Sequence, residues 1–504
     1  MNGIASIAEP RRTRQPLFLA ALVALTACVG PGVTSVAIEG GDRTLAVDDQ
    51  IALSAVVVGG PPSVAWTSTA PNVASVDGTG TVTGVAAGTA TVRAASTAAT
   101  SVRSEITVTV VPQGEVHWTR QFGTGSDDRA YAAAIDATGR VVVAGSTNGA
   151  LAGGNAGASD AYVRAYAADG TTALWTRQFG TAGSEYANGV ATDPAGAVIV
   201  TGSTTGALEG ANLGLEDAFV RAYDRDGAER WTRQFGTASG DTGYAVAAAH
   251  DGRVVVVGST SGALDGAGFG AVDGFVRVFD GVGDLLWTRQ FGTPAADYAL
   301  GMAVATDGRV LVAGHTMGDL GAPNAGGFDA FLRAYGADGA LLWTRQFGTS
   351  AADVAVGGVA VDALGRAFVA GRTLADLEGP QLGNGDAFLR AYDADGGFLW
   401  GAQFGTPADE QVGQVAVDGA GNVFVVGETD GDLGAPNQGL SDGFVRKFAG
   451  SGATRWTRQF GTPASDSVAA AAADGRLALV GHTGGDLGGP NAGSNDGFVR
   501  VYGP

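Results

Sequence analysis

An all-β fold is predicted by three features of the 504-residue sequence. Glycine occurs 84 times along the chain, which suits turns and disfavours helix and strand interiors. Short apolar or alternating runs are separated by clusters of Gly, Asn, Asp and Pro, as strands are by turns. The phrase WTRQFGT begins at Trp118, Trp175, Trp231, Trp287, Trp343 and Trp456, with a variant, WGAQFGT, at Trp400. Copies lie 56 or 57 residues apart, and a fixed period of this size defines the architecture. An apolar content of 45% is enough to fill a sizeable core.

The chain opens with an export signal over residues 1–27. A positive segment, RRTRQ, precedes the apolar PLFLAALVALTA, which is short for a membrane span. Leu25-Thr26-Ala27-Cys28 resembles a bacterial lipobox, and Cys28 is the only cysteine in the chain. The resemblance implies cleavage before Cys28 and lipidation of its thiol, with residues 28–32 as a tether. Two or more acyl chains make a stable anchor, since each buried methylene contributes about 0.8 kcal/mol. Val29 follows the cysteine, and by the same resemblance the expected address is the outer membrane or cell surface.

Residues 33–111 change character and lack the repeated phrase. Runs such as TLAVDDQIALSAVVV, SVAWTST, TATVRAAS and EITVTVV predict a small antiparallel sandwich. The stretch WTSTAPNVASVDGTGTVTGVAAGTATVRA, from Trp66 onward, resembles the bacterial Ig-like domain of group 2. Trp66 is then expected to anchor the core. The resemblance implies a spacer, as in surface proteins that carry such domains.

From 115 to 504 each period contains four strand-like pieces; in the first copy these are RAYAAAID, RVVVAGST, DAYVRAYA and ALWTRQFG. Two tight turns and one long glycine-rich loop join them. Neither the first nor the last copy is an atypical cap, as an open solenoid would need. The last copy stops after its third piece, at DGFVRVYGP, and the missing fourth is found at 115–123 as EVHWTRQFG. The chain is therefore expected to close into a ring, a seven-bladed β-propeller. The repeats resemble the SBBP family of bacterial propeller repeats. Small residues fill the first piece of each copy, which places it along the central channel, and Trp and Phe place the fourth outside.

Two sets of side chains are candidate sites. Ten residues after each repeat tryptophan stands an acid, namely Asp128, Glu185, Asp241, Asp297, Asp353, Glu410 and Asp466. Such a ring of oxygens is what Ca²⁺ would take, and equally what would pin each blade through threonine and backbone N–H groups. The position between Gly and Thr of the G-x-T triplet varies inside a constant frame: serine in three blades, then His315, Arg372, Glu428 and His482. These four are expected to form an asymmetric polar patch near the channel mouth.

A net charge of −20 argues against a nucleic-acid partner. The sequence shows no HExxH, CxxC pair, P-loop or GxSxG, so no catalytic residue is assigned and no cofactor is required. The expected role is a lipid-anchored cell-envelope platform, more binder than enzyme, for protein or glycan. The alternative is a hydrolase or lyase acting on extracellular polysaccharide.

Overall fold

The computed structural model describes residues 33–47, 49–112, 114–266 and 268–503. The signal segment, Cys28 and the tether lie outside the described residues. Among the described residues all the regular elements are strands, in the order the repeats predict.

The first unit is a sandwich of short strands. One sheet joins Val64–Ser68, Gly88–Ser96 and Arg103–Val111 antiparallel, with Arg43–Ala46 added parallel to the last. A second joins Gln50–Ala52, Thr81–Gly84 and Ala74–Val76, and Ser35–Ile38 pairs with Ala55–Val58. Alternation along Gly88–Ser96 and Arg103–Val111 sends Val92, Val108 and Val110 into a core shared with Leu45, Leu53 and Val82. Trp66 packs partly buried on this core, and its indole occupies the space a side chain at Gly80 would need.

The second unit is a ring of seven antiparallel sheets. Blade 1 comprises Asp128–Ile135, Val141–Thr147, Asp160–Tyr166 and Ala173–Phe179, in spatial order from the channel outward. Blades 2 to 6 repeat this order. Blade 7 takes Asp466–Ala473, Leu477–Thr483 and Asp496–Tyr502 from the end of the chain and Val116–Phe122 from its beginning, with Trp118 opposite Val501. The ring is thus closed by pairing the two ends of the repeat region, which removes a free edge at the junction.

The repeated phrase builds the contact from one blade to the next. Its phenylalanine meets an aromatic residue of the following blade edge-on: Phe122 with Tyr162, Phe179 with Phe219, Phe291 with Phe331 and Phe460 with Phe498, at ring centroids 5.7–6.0 Å apart. An arginine on the third strand, such as Arg221 or Arg390, lies over the phenylalanine of the preceding blade at 4.1–4.2 Å. The glutamine ties down the long loop: Gln178 Nε2 donates to Gly149 O and to Asp160 Oδ2, while its Oε1 accepts from Ala152 N. The glycine leaves room for a carboxylate, because a Cβ at Gly123 or Gly180 would overlap that of Asp496 or Asp160. The phrase recurs because seven junctions need the same parts.

Candidate functional site

The seven ring acids fall at these junctions and are fully buried. Asp128 Oδ2 accepts from Thr124 N at 2.6 Å and from Thr124 Oγ1 at 2.8 Å, and the bonds recur at Asp241, Asp297, Asp353 and Asp466. Glu185 and Glu410 reach one methylene farther and also accept from Thr204 and Thr429, at 2.6 and 2.7 Å. Burial pushes Asp241, Glu410 and Asp466 above the usual carboxylate range, and threonine hydroxyls pull them part of the way back. The donors meet Oδ2, whereas Oδ1 of Asp128, Asp241, Asp297, Asp353 and Asp466 is buried without a hydrogen-bond partner among the described residues, and a second carboxylate, Asp217, Asp386 or Asp442, adds to the rise at Asp241, Glu410 and Asp466. Among the described residues no three Asp, Glu, His or Cys side chains are grouped to hold a metal.

The four G-x-T residues occupy successive blades. His315 lies opposite Tyr298 and between the rings of Tyr298 and Phe328, at 5.1 and 4.6 Å. Arg372 pairs with Asp409 of the next blade. Glu428 is raised by burial and bonded to Ser467, also of the next blade. His482 sits beside Arg129 and Asp127 of blade 1, and its pKa is lowered to about 4, first by burial. The sequence reading expected one patch; the structure strings three of the four along adjoining blade contacts, since Asp409, the partner of Arg372, also acts on Glu428, and Ser467, bonded to Glu428, lies opposite His482. None of them lines the axial cavity.

That cavity, about 150 Å³, lies on the channel axis and is walled by all seven inner strands. A β-bulge in the inner strand creates its wall. In six blades the ladder with the second strand skips one residue, at Tyr131, Asn188, Tyr244, Leu300, Gly413 and Ala469. A bulge leaves its extra residue unpaired and re-aims its side chain, here into the channel. In blade 5 the bulge has grown into a turn: four residues, Ala355 to Gly358, stand opposite two, Ala370 and Gly371. Gly358 has φ +70°, and the turn packs so closely on Gly301 that a Cβ there would overlap the Cα of Gly358.

The resulting ring is asymmetric. Tyr131, Asn188 and Tyr244 stand in consecutive blades, followed by Leu300 and Val356, with Gly413 and Ala469 completing the circle. Ser146 Oγ donates to the Tyr131 hydroxyl oxygen at 3.0 Å. Burial pushes both Tyr131 and Tyr244 above the ordinary phenol range, so both are donors at neutral pH. Asn188 Nδ2 donates to Gly243 O at 3.1 Å, and Gln414 Oε1 accepts from Ala471 N at 2.8 Å. Among the described residues no charged side chain lines the cavity.

Sequence reasoning missed this ring, although two signals pointed to it. The third residue after every ring acid varies, from Tyr131 through Asn188 and Gly413 to Ala469. The 57-residue spacing from Trp343 to Trp400 also comes from one extra residue between Asp353 and Asp362.

Comparison with known proteins agrees with the two-part architecture. The family profile of the bacterial Ig-like domain (group 2) matches residues 33–106, and that of the β-propeller repeat SBBP matches 174–209, 342–378 and 399–434. The chain therefore carries an Ig-like domain followed by SBBP repeats. It is 29% identical over 334 residues to regulatory protein FlaEY of Caulobacter vibrioides, an alignment covering 57% of this chain and 35% of that protein. The chain thus spans about a third of the length of this relative. Among solved structures it is similar to the β-propeller domain of the Trilobed protease from Pyrococcus furiosus. The TM-score there is 0.42 and the identity 10%, over 75% of this chain and 94% of that one. Quinohemoprotein alcohol dehydrogenase ADHIIG from Pseudomonas putida HK5 gives a TM-score of 0.41 and 13% identity, over 77% and 76%.

Proposed function

We propose that this protein is a cell-envelope binding platform, anchored through a lipid on Cys28, whose propeller holds an uncharged group of a glycan or protein in its axial channel. The observation that carries the reading is the bulge ring: one position, re-aimed into the channel in every blade, bears two phenols and an amide on one side and Gly413 and Ala469 on the other. Phenol and amide groups recognise hydroxyls and amides, and the tyrosine rings offer flat faces to C–H surfaces. A charge placed there would be desolvated with no partner, so neutral groups are favoured.

The buried ring acids favour binding over hydrolysis. Each is engaged by threonine and amide donors, and none reaches the cavity to serve as general acid or base. A polysaccharide hydrolase working through paired carboxylates would need such a group.

Calorimetric titration with neutral oligosaccharides and uncharged peptides tests the proposal. Binding is expected, with no product on chromatography, and Tyr131→Ala with Tyr244→Ala should weaken it at least tenfold while leaving the fold intact. Binding unchanged in the double variant would remove the channel as the site. Cleavage of the oligosaccharide would replace the reading with the enzymatic one.

A further inference from the structure

The turns at one end of each blade carry a second set of contacts between blades, from an arginine and a tryptophan; the junction of blades 2 and 3, with Ala197 at the arginine position, keeps only the tryptophan, and one junction lacks both. Arg140, Arg253, Arg309, Arg366 and Arg476 each extend a guanidinium to a carbonyl in the next blade's hairpin turn, at Arg225, Ala337, Ala394, Gly450 and Ala168 respectively. The repeat tryptophans do the same: Trp118, Trp175, Trp231 and Trp400 donate Nε1–H to Ala168, Arg225, Gly281 and Gly450, at 3.1–3.3 Å. The turn joining third and fourth strands is the acceptor in both sets.

Blade 7 has no such turn. Its third strand ends at Tyr502, and its fourth arrives from the other end of the repeat region. Trp456 Nε1 is accordingly buried with no acceptor among the described residues. Blade 6 carries Asn422 where five blades have arginine, and the amide folds back onto Asp418 at 2.8 Å.

Lys447 stands at this seam. It is the chain's only lysine, and its counterparts in the other blades are Ala165, Ala222, Val278, Ala334, Ala391 and Val501. The residue is 3% exposed, with Phe424 5.5 Å from Nζ. A buried ammonium is retained only with a partner. That partner is Asp49 of the Ig-like domain, whose oxygens lie 3.1 and 3.2 Å from Nζ. Asp49 O in turn accepts from Gly84 N, which ties the residue to the body of the sandwich. Asp418, Phe424, Lys447, Trp456 and Tyr502 line the crevice beneath.

We propose that the Ig-like domain is a clasp on the propeller's closure seam, seated by Asp49 on Lys447 in place of the hairpin turn that blade 7 lacks. It then resists opening of the ring at the one junction made from two chain ends. This role is independent of any ligand in the channel.

The test compares the intact protein with Asp49→Asn, Asp49→Lys and the exchange Asp49→Lys with Lys447→Asp. Small-angle scattering reads docking, and tryptophan fluorescence in denaturant reads the propeller's unfolding rate. Asp49→Lys should lengthen the particle and speed unfolding at least tenfold, and Asp49→Asn should shift both in the same direction by less. The exchange should return both within about twofold of the parent. Should Lys447→Asp fail to fold, the two Asp49 variants decide, since that side chain lies at the domain surface. An elongated parent particle, or parental unfolding in Asp49→Lys, would overturn the clasp.

Discussion

The blade junctions and the bulge ring come from the same repeat, yet they differ in how the seven copies have been kept. At the junctions nearly every letter is held: in blade 4, Phe291, Gly292 and Thr293 lead to the acid Asp297, and every other copy has the same Phe-Gly-Thr before its own acid. Within the same inner strand, three residues past the acid, the copies read Tyr131, Asn188, Tyr244, Leu300, Val356, Gly413 and Ala469. Uniformity therefore marks what assembles a blade, whereas divergence in a fixed geometric position marks what the blade frame leaves free to vary.

The largest effect that would break this contrast is at the junction. Asp297→Ala should cost about 3 kcal/mol in denaturant unfolding, because Thr293 N and Oγ1 lose a charged acceptor inside the protein. Asp297→Glu, which copies blades 2 and 6, should stay within about 1 kcal/mol of the parent, as expected of a partner the frame already accepts. A cost below about 1 kcal/mol for the alanine variant would mean that the acids are dispensable to the frame, and the structural account of their uniformity would fail.

Much of this frame is legible in the sequence, since period, strand count and closure follow from the spacing of Trp118 to Trp456 and from the displaced strand at 115–123. The bulge is not, because it is a slip in backbone pairing and leaves no residue type of its own. Burial explains why attention fell on the G-x-T position instead. The second strands are buried along nearly their full length, as in Val141–Thr147, so alternation cannot tell which side chains meet the channel and which meet the next blade. The two 57-residue spacings are equally mute. In blade 1 the extra residue falls in the turn before Ala173, and in blade 5 it falls in the channel wall.

An intermediate effect concerns the two histidines that replace serine at G-x-T. Burial lowers His315 and His482 to about 4, against about 6.5 in an unfolded chain. The unfolded state then binds more protons between those values, so stability is full above pH 6.5 and is lost as pH falls toward 4. Each histidine should cost about 1 kcal/mol between about pH 7 and 5.5. The parent should therefore lose more stability over that interval than His315→Ser with His482→Ser. Identical pH profiles would place both imidazoles in water.

The smallest effect on stability is expected in the ring itself. Tyr244 and Leu300 are half-buried neighbours in the channel wall, and both sit on a bulge that takes no part in the ladder. Exchanging them, as Tyr244→Leu with Leu300→Tyr, keeps the total side-chain volume and moves one phenol by a single blade. Volume-conserving changes are tolerated best, and a site open to a cavity has room to adjust, so unfolding should shift by less than about 1 kcal/mol. Any ligand held between the phenols of Tyr131 and Tyr244 should nevertheless weaken, because the donor spacing has changed while the frame has not. A loss above about 2 kcal/mol would instead show that the ring carries the packing of the inner strands, and its variation would then report compensation among neighbours.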